Sequence, residues 1–288
     1  MTTVGELFDA ARQHIVPAEA RLLLAHRLGK NLAWLVAHRD DSVAATMADD
    51  YLACVRRRAA GEPVAYLTGV REFYGRPFLV TPDVLIPRPE TELLVDIALA
   101  KLGAGRAARL LDLGTGSGCL AVTLALEMAP AKVLAVDLSP AALAVAGRNA
   151  RQLGAPVDFL ASDWFAALPA QRFDFIVANP PYIAAGDAHL AAGDLRFEPA
   201  DALTDHADGL AAIRRIVAEA VHWLEEGGWL FIEHGHDQAA AVRQLFEAGG
   251  FAAIEQHADL AGIVRASGGS RAARQAGSAS IVFPANNQ

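Results

Sequence analysis

The sequence predicts an α/β protein: a largely parallel sheet covered by helices, preceded by a small unit made of helices alone. Three observations carry this. From Glu90 onward, short apolar runs rich in β-branched residues alternate with stretches of helical period, the signature of a parallel sheet. One of those runs, Arg109 to Leu113, opens into the glycine-rich loop Gly114-Thr115-Gly116-Ser117-Gly118 and then into a helical stretch, the strand–loop–helix context that makes such a loop credible as a ligand cradle. Residues 1 to 73 show helical period only, punctuated by Pro17 and Gly29.

In chain order, the first unit should hold helices over 4–14, 18–28, 31–38 and 42–60. Leu22, Leu23, Leu24 and Leu28 recur at helical spacing and predict the core of a small bundle rather than a cofactor site. The run Arg56-Arg57-Arg58 reads as a solvated face, which could also meet RNA or an acidic partner. Residues 73–82 read as a hairpin, with Gly75-Arg76-Pro77 at its turn. The chain therefore divides into a helical domain (1–73), a hairpin connector (74–89) and a sheet domain (90–288). In the sheet domain, strands are expected at 109–113, 132–136, 157–160, 173–178, 229–233 and 251–255. Helices are expected at 119–128, where Pro130 stops the pattern, and at 209–224 and 238–248.

Composition narrows the function. A chain of 288 residues is long enough for about two units with ample core, on a prior of ~150 residues per domain. A net charge of −8 argues against a broad electrostatic footprint on nucleic acid. The two cysteines, Cys54 and Cys119, make neither a disulfide framework nor a metal-ligand spacing, and suit reduced thiols in a cytoplasm. No basic–apolar–cleavage pattern opens the chain, and no apolar stretch reaches ~18 residues, so no membrane location is expected.

The glycine loop lacks the GxGxxG spacing of a dinucleotide site, and no Gly-Lys-Ser/Thr follows it as in a P-loop. The next apolar run, 132–136, ends in Asp137, 19 positions beyond Gly118 and close to the ~20 expected of an acid that takes ribose hydroxyls. An ionised carboxylate only accepts, so it can hold both hydroxyls at once. Asp112, at the entrance of the loop, would repel phosphate but suits a cation. A nucleoside without phosphates and with a positive centre fits these residues, namely S-adenosylmethionine. Ser162-Asp163-Trp164, after the next strand, could hold an adenine amine and stack on its ring; an N-capping Asp beside a packed Trp is the plainer alternative.

The tetrapeptide Asn179-Pro180-Pro181-Tyr182 follows the apolar run 173–178 directly. Neither proline has a backbone N–H, so the strand stops there, at the edge where open α/β sheets bind ligands. The Asn179 side-chain oxygen and the Pro180 carbonyl then stand together as rigid acceptors, able to hold both hydrogens of an –NH2 group. Taken alone, the segment is equally a turn built from ordinary turn residues.

Together, Asp112-Leu-Gly-Thr-Gly-Ser-Gly118, Asp137, Ser162-Asp-Trp164 and Asn179-Pro-Pro-Tyr182 resemble a class I S-adenosylmethionine-dependent methyltransferase acting on planar nitrogens. The flanks narrow this. Gly61-Glu-Pro-Val-Ala-Tyr-Leu-Thr-Gly69, Phe73-Tyr-Gly75, Leu85-Ile-Pro-Arg-Pro-Glu-Thr-Glu92, Asp194-Leu-Arg-Phe-Glu-Pro199 and Glu233-His-Gly235 resemble the peptide chain release factor glutamine methyltransferase family (PrmC/HemK). The resemblance implies a Rossmann-like seven-stranded sheet with a helical N-terminal domain joined by a β-hairpin. It implies S-adenosyl-L-methionine as methyl donor, S-adenosyl-L-homocysteine as product, and class 1 peptide chain release factors as partners. It also implies Gly114, Thr115, Gly116, Ser117, Gly118, Asp137, Trp164 and Asn179 at the cofactor, and Asn179, Pro180, Pro181 and Tyr182 at the glutamine, with Tyr182 walling the substrate in. Arg88 and Glu198 would shape the entrance. The tail departs from the family: Ser267-Gly-Gly-Ser270 and Gly277-Ser-Ala-Ser280 intervene before Ile281-Val-Phe283, so the pairing of the last strand stays open.

Glu233, His234 and His236 invite a metal reading, but a carboxylate ending a buried strand beside imidazoles is more often hydrogen-bonded structure, and no metal is expected. Two rivals stand beside the glutamine reading. A nucleic-acid amine methyltransferase would use the same site, yet no inserted basic domain is present for handling a flipped base. A non-catalytic binding module would not need the intact motifs. A monomer is expected; which release factors are preferred is not written in the sequence.

Overall fold

The computed structural model describes residues 2–103 and 105–273. The first two residues described form a short strand, β1 (Thr2–Thr3), paired antiparallel with β2 (Ser42–Val43). Between and after them lie α1 (Val4–Ala11), α2 (Pro17–Leu28), α3 (Leu32–Ala37), α4 (Ala45–Ala59) and α5 (Val64–Thr68). Local chemistry sets the ends. Thr3 and Glu6 form a reciprocal capping box on α1, Pro17 opens α2, Gly29 closes it at φ +62°, and the Asn31 side chain caps α3. The pairing of Ser42 and Val43 with β1 delays α4 to Ala45, three residues later than the helical period suggests.

These helices enclose their own core, with Leu7, Leu23, Leu24, Tyr51, Val55 and Leu67 buried together. Leu23 and Leu24 are core residues as expected, whereas Leu22 is 46% exposed. The Arg56–Arg58 run is not one solvated face. Arg57 pairs with Glu62, and Arg58 is half-buried between Glu19 and Asp194, at 2.9 and 2.8 Å.

The hairpin is β3 (Val70–Phe73) and β4 (Arg76–Leu79), turning at Tyr74-Gly75, so it begins inside the span read as helical. Phe73 and Phe78 meet edge to face at 6.0 Å and sink into the core of the sheet domain. That apolar pair, hidden to a reading of turn residues alone, makes the hairpin part of the larger unit.

The sheet domain continues with α6 (Glu92–Leu102), β5 (Arg109–Leu113), α7 (Cys119–Glu127), β6 (Lys132–Asp137), α8 (Pro140–Leu153), β7 (Val157–Ala161), β8 (Phe173–Ala178), α9 (Ala200–Leu203), α10 (Ala211–Trp223), β9 (Leu224–Glu233), α11 (Ala239–Ala248), β10 (Ala252–Ala258) and β11 (Val264–Ser270). Seven strands form one sheet in the order β10-β11-β9-β8-β5-β6-β7. All neighbours are parallel except at β11, which runs against both β9 and β10. This is the Rossmann-like seven-stranded architecture expected, with its helical unit and joining hairpin. Alternation along β5 sorts the cores: Leu110 packs with α6 and α7 on one face, Leu111 and Leu113 with α10 and α11 on the other.

The last strand corrects the sequence reading. Ser267-Gly268-Gly269-Ser270 is not an interruption; it is the end of β11, paired with Ile232, Phe231, Leu230 and Trp229. Glycine is required by space, because a Cβ on Gly268 would lie 2.3 Å from the Phe231 ring and one on Gly269 2.9 Å from Phe251. Ile281 to Phe283, the expected last strand, lies outside the described residues. Strand β9 also starts earlier than its apolar run, at Leu224, because an irregularity opposite Phe173 lets Glu225 to Gly228 bulge and still keep pairing.

Candidate active site

The carboxyl ends of β5, β6 and β8 converge on one cleft of about 470 Å³. Register aligns its walls: Leu113 and Ile232 both stand opposite Ala178, so the glycine loop, Asn179 and Glu233 emerge side by side. Gly114, Gly116 and Gly118 have φ of +73°, +54° and +82°, which only glycine adopts without strain. The loop is held to β6 by bonds from the Gly114 and Thr115 amides to the Val136 carbonyl, both 2.9 Å. Asn149 ties it to the hairpin, donating to the Ser117 carbonyl at 2.8 Å and exchanging bonds with Leu79. A Cβ on Gly118 would meet that of Ala146 at 2.9 Å, so this glycine also admits α8.

Asp112 is buried; one oxygen accepts from the Thr115 hydroxyl at 2.7 Å and the other has no partner among the described residues. Burial pushes its pKa up to about 7, against the pull of that hydroxyl and of the Ala121 amide, with Asp137 adding to the rise. A buried carboxylate with a spare oxygen fits a cationic ligand. Asp137 ends β6 with its oxygens on the Gly116 and Ser139 amides, each 2.8 Å. Burial raises its pKa, and the amides oppose the rise. Asp137 lines the cleft, and each carboxylate oxygen can accept more than one hydrogen bond, which suits a pair of hydroxyls.

Trp164 lines the cleft at φ +50°, its ring 3.3 Å from where a Gly114 Cβ would stand. Asp163 is beside it, but its carboxylate is gripped by Arg215, 2.8 Å from each oxygen, and does not stand free for an amine. Sequence reasoning passed over Leu138, which lies 72% exposed at the cleft between Asp137 and Ser139; an apolar residue directly after the acid was the available signal. Cys119 also lines the cleft, its thiol pushed up to about 12 by burial and so inert.

At the end of β8, neither the Asn179 side-chain oxygen nor the Pro180 carbonyl takes a hydrogen bond from any described residue. The Asn179 amide group donates to the Thr91 hydroxyl at 3.1 Å. Thr91 and Glu233 are both buried and lie 2.6 Å apart. Tyr182 turns inward: its hydroxyl donates to the other Glu233 oxygen at 3.2 Å, and its ring packs into the core beneath α10 and α11. Asn179 and Pro181 line the cleft, and Pro180 between them is buried. The segment is pinned from outside by Gln238, whose amide donates to the Tyr182 carbonyl at 2.9 Å, and by Gly209, where a Cβ would stand 2.5 Å from that carbonyl.

His234 spends its ring nitrogens on the Gly235 carbonyl and the Ser267 hydroxyl, at 2.9 and 2.8 Å, and His236 is exposed. Glu233 and His234 are thus hydrogen-bonded structure, and no group of three or more metal-binding side chains occurs among the described residues. Among those residues, too, no helix is long and apolar enough to cross a membrane. At the mouth, Arg88 pairs with the buried Glu198, whose second oxygen accepts from the Ile86 amide at 2.9 Å. The segment leading to Glu198 is docked on the helical unit by Arg58–Asp194 and by Arg196 on the Ala60 carbonyl.

Residues 89–256 match the family described as "Methyltransferase small domain", and residues 5–69 match "PrmC N-terminal domain". The chain is 57% identical over 274 residues to the release factor glutamine methyltransferase of Burkholderia pseudomallei, covering 93% of this chain and 95% of that one. It is 56% identical over 252 residues to that of Bordetella pertussis, covering 87% and 93%. A solved methyltransferase from Pyrococcus furiosus superposes with a TM-score of 0.53 at 16% identity, over 78% of this chain and 99% of that one; at such identity the likeness concerns the fold alone.

Proposed function

The chain belongs to the release factor glutamine methyltransferase family, and on that premise we propose that it methylates the side-chain amide nitrogen of the glutamine in the Gly-Gly-Gln motif of class 1 release factors, so modulating translation termination. One observation carries the chemistry: two unengaged acceptors, the Asn179 side-chain oxygen and the Pro180 carbonyl, at the carboxyl edge of β8 beside a glycine loop.

S-adenosyl-L-methionine supplies an electrophilic methyl on its sulfonium and leaves as S-adenosyl-L-homocysteine. The backbone of Gly114 to Gly118 would hold it closely, Asp137 would accept the ribose hydroxyls, Trp164 would cover the purine side, and the buried Asp112 carboxylate beneath the loop would favour its positive charge. The unpartnered Asp112 oxygen and the glycine-only turn support this fit.

An amide nitrogen is a poor nucleophile because its lone pair is shared with the carbonyl. Asn179 and Pro180 take one N–H each, fixing the nitrogen and aiming its lone pair at the methyl. This is catalysis by orientation and preorganised dipoles. The proton left on nitrogen becomes acidic only as the new C–N bond forms, and solvent removes it. Pro181 walls the acceptor side, while the Tyr182 ring, turned into the core and bonded to Glu233, supports the segment from behind instead of facing the glutamine.

In this reading the helical unit, residues 1–73, takes the protein substrate, residues 74–89 connect, and residues 90–288 hold the chemistry. The independent helical core supports that division, as does the anchoring of the Asp194–Glu198 segment on α4 and the turn after it. We read the enzyme as a cytoplasmic monomer acting on protein and not on nucleic acid; its net charge of −8 supports the second point.

Mass spectrometry of a class 1 release factor incubated with the enzyme and methyl donor tests the proposal. One added methyl on the motif glutamine is expected, and none when the motif carries glutamate. Methylation of duplex DNA with none on the release factor overturns it.

A further inference from the structure

Asn179 can serve as an acceptor only if its side-chain amide is turned the right way. The two ends of an Asn amide are nearly identical in shape and opposite in hydrogen bonding. Turned by half a revolution, the group would offer N–H where the substrate also brings N–H. Something must hold it.

The hydrogen-bond directions around Asn179 supply the lock. Its amide nitrogen lies 3.1 Å from the Thr91 hydroxyl, and that hydroxyl lies 2.6 Å from a Glu233 oxygen. Thr91 has a single hydrogen to give. While Glu233 is ionised, on the alkaline side of the pKa that burial raises, its carboxylate gives none, so Thr91 must donate to Glu233 and can only accept from Asn179. Tyr182 occupies the second Glu233 oxygen at 3.2 Å, which stops the carboxylate from swinging away. Thr91 is 2% exposed and Glu233 2%, so water does not substitute for either.

We propose that Thr91 and Glu233 are positioning residues that lock the Asn179 amide with its oxygen toward the cleft, and that this lock makes the site select an amide over a carboxylate. The inference rests on the glutamine reading above. A glutamine side chain brings two N–H groups, matched by two acceptors. A glutamate side chain brings oxygens, which the locked Asn179 and the Pro180 carbonyl both repel. Released, Asn179 can turn and offer its own N–H to a carboxylate. Neither Thr91 nor Glu233 needs to touch the glutamine for this to work.

The experiment compares Thr91→Val, which keeps the shape but cannot accept, with Thr91→Ser, which restores the hydroxyl. For each, kcat/KM on release factor is measured alongside inhibition by the factor carrying Gly-Gly-Glu, with S-adenosylmethionine affinity as a check on the fold. Thr91→Val should lose roughly tenfold in kcat/KM, the weight of one buried hydrogen bond, while the Gly-Gly-Glu factor becomes a severalfold better inhibitor. Thr91→Ser should reverse both changes. Should Thr91→Val fail to bind cofactor, Glu233→Gln carries the same comparison, because a neutral amide can donate to Thr91 and free its hydrogen for Asn179. Unchanged discrimination between the two factors, or equal behaviour of the Ser and Val variants, overturns the proposal. A substrate-free readout separates it from the functional reading. Nuclear Overhauser contacts from the Asn179 side-chain NH2 to the Thr91 methyl should be present in the wild type. Their absence overturns the lock, whereas their presence in an enzyme that leaves glutamine untouched overturns the glutamine reading alone.

Discussion

The same strands carry a cleft at each end, and the two differ in kind. At the amino ends, Arg109, Lys132, Asp158 and Phe173 border a space of about 560 Å³; at the carboxyl ends, the glycine loop, Asp137 and Asn179 border one of about 470 Å³. Volume favours the wrong one. At the amino end the polar groups are either spent or open to water: the Arg109 amide is bonded to Asp174 at 2.8 Å, its guanidinium to Glu225 at 2.6 Å, and the Lys132 amide to the Ala108 carbonyl at 2.8 Å, while the Lys132 and Asp158 side chains stand exposed to water. At the carboxyl end an Asp112 oxygen, the Asn179 oxygen and the Pro180 carbonyl are left over. A binding site is recognised by polar groups that folding has not satisfied, because those are what a ligand must complete.

Substitutions at the two ends should separate accordingly. Asn179→Ala should lower methyl transfer by roughly 10²–10³-fold with cofactor still bound, as expected when one preorganised group is lost at a reaction centre; full turnover in the folded variant would leave the carboxyl-end cleft without its chemistry. Asp137→Ala should weaken S-adenosylmethionine by roughly 1.5–3 kcal/mol, the value of charge-assisted hydrogen bonds. Calorimetry returning wild-type affinity would remove the ribose assignment.

A smaller effect concerns Glu233, whose pKa burial pushes up to about 7, with Glu90 adding to the rise and Thr91, Tyr182 and Arg265 opposing it. An unfolded glutamate titrates near ~4.3. Between these values the native protein holds a proton that the unfolded chain has released, so the contribution to stability falls as pH rises through that window. Glu233→Gln has no such decline. Its stability, followed by thermal unfolding, should gain on the wild type between pH 5 and pH 7 by on the order of 1 kcal/mol per pH unit; parallel curves would show Glu233 ionised throughout. The smallest effect is at the other end. Lys132→Ala should leave methyl transfer unchanged and stability within about 0.5 kcal/mol, and a marked loss of activity would make the amino-end cleft a working part of the enzyme.

What the sequence made legible was short in range. The glycine loop, Asp137 and the Asn179–Tyr182 segment each depend on neighbours within a few residues, where prolines and glycines fix the backbone directly. The strand–helix alternation was legible for the same reason. The lock on Asn179 was not, because Thr91 and Glu233 stand 142 positions apart and meet only when β9 lies beside β8. Nor was the role of Arg58, whose partner Asp194 is 136 positions away. Gly268 and Gly269 misled for the opposite reason: the usual local meaning of paired glycines is a turn, and only the Phe231 ring over one and the Phe251 Cβ against the other show why a strand needs them.

The placement of β11 bears on how the chain is made. Strand β10 is synthesised first, yet among the described residues its sheet neighbour is β11 alone, and β11 fills the slot beside β9. Until residue 270 has left the ribosome, Leu230 to Glu233 form an open edge with unpaired amides, and β10 touches α11 but has no strand to pair with. The two strands, joined by a short turn at Asp259 to Ile263, are then expected to enter as a single hairpin. A nascent chain stalled before Val264 should therefore be captured by chaperones that recognise unpaired strand edges, while one stalled past Arg271 with room to emerge should not.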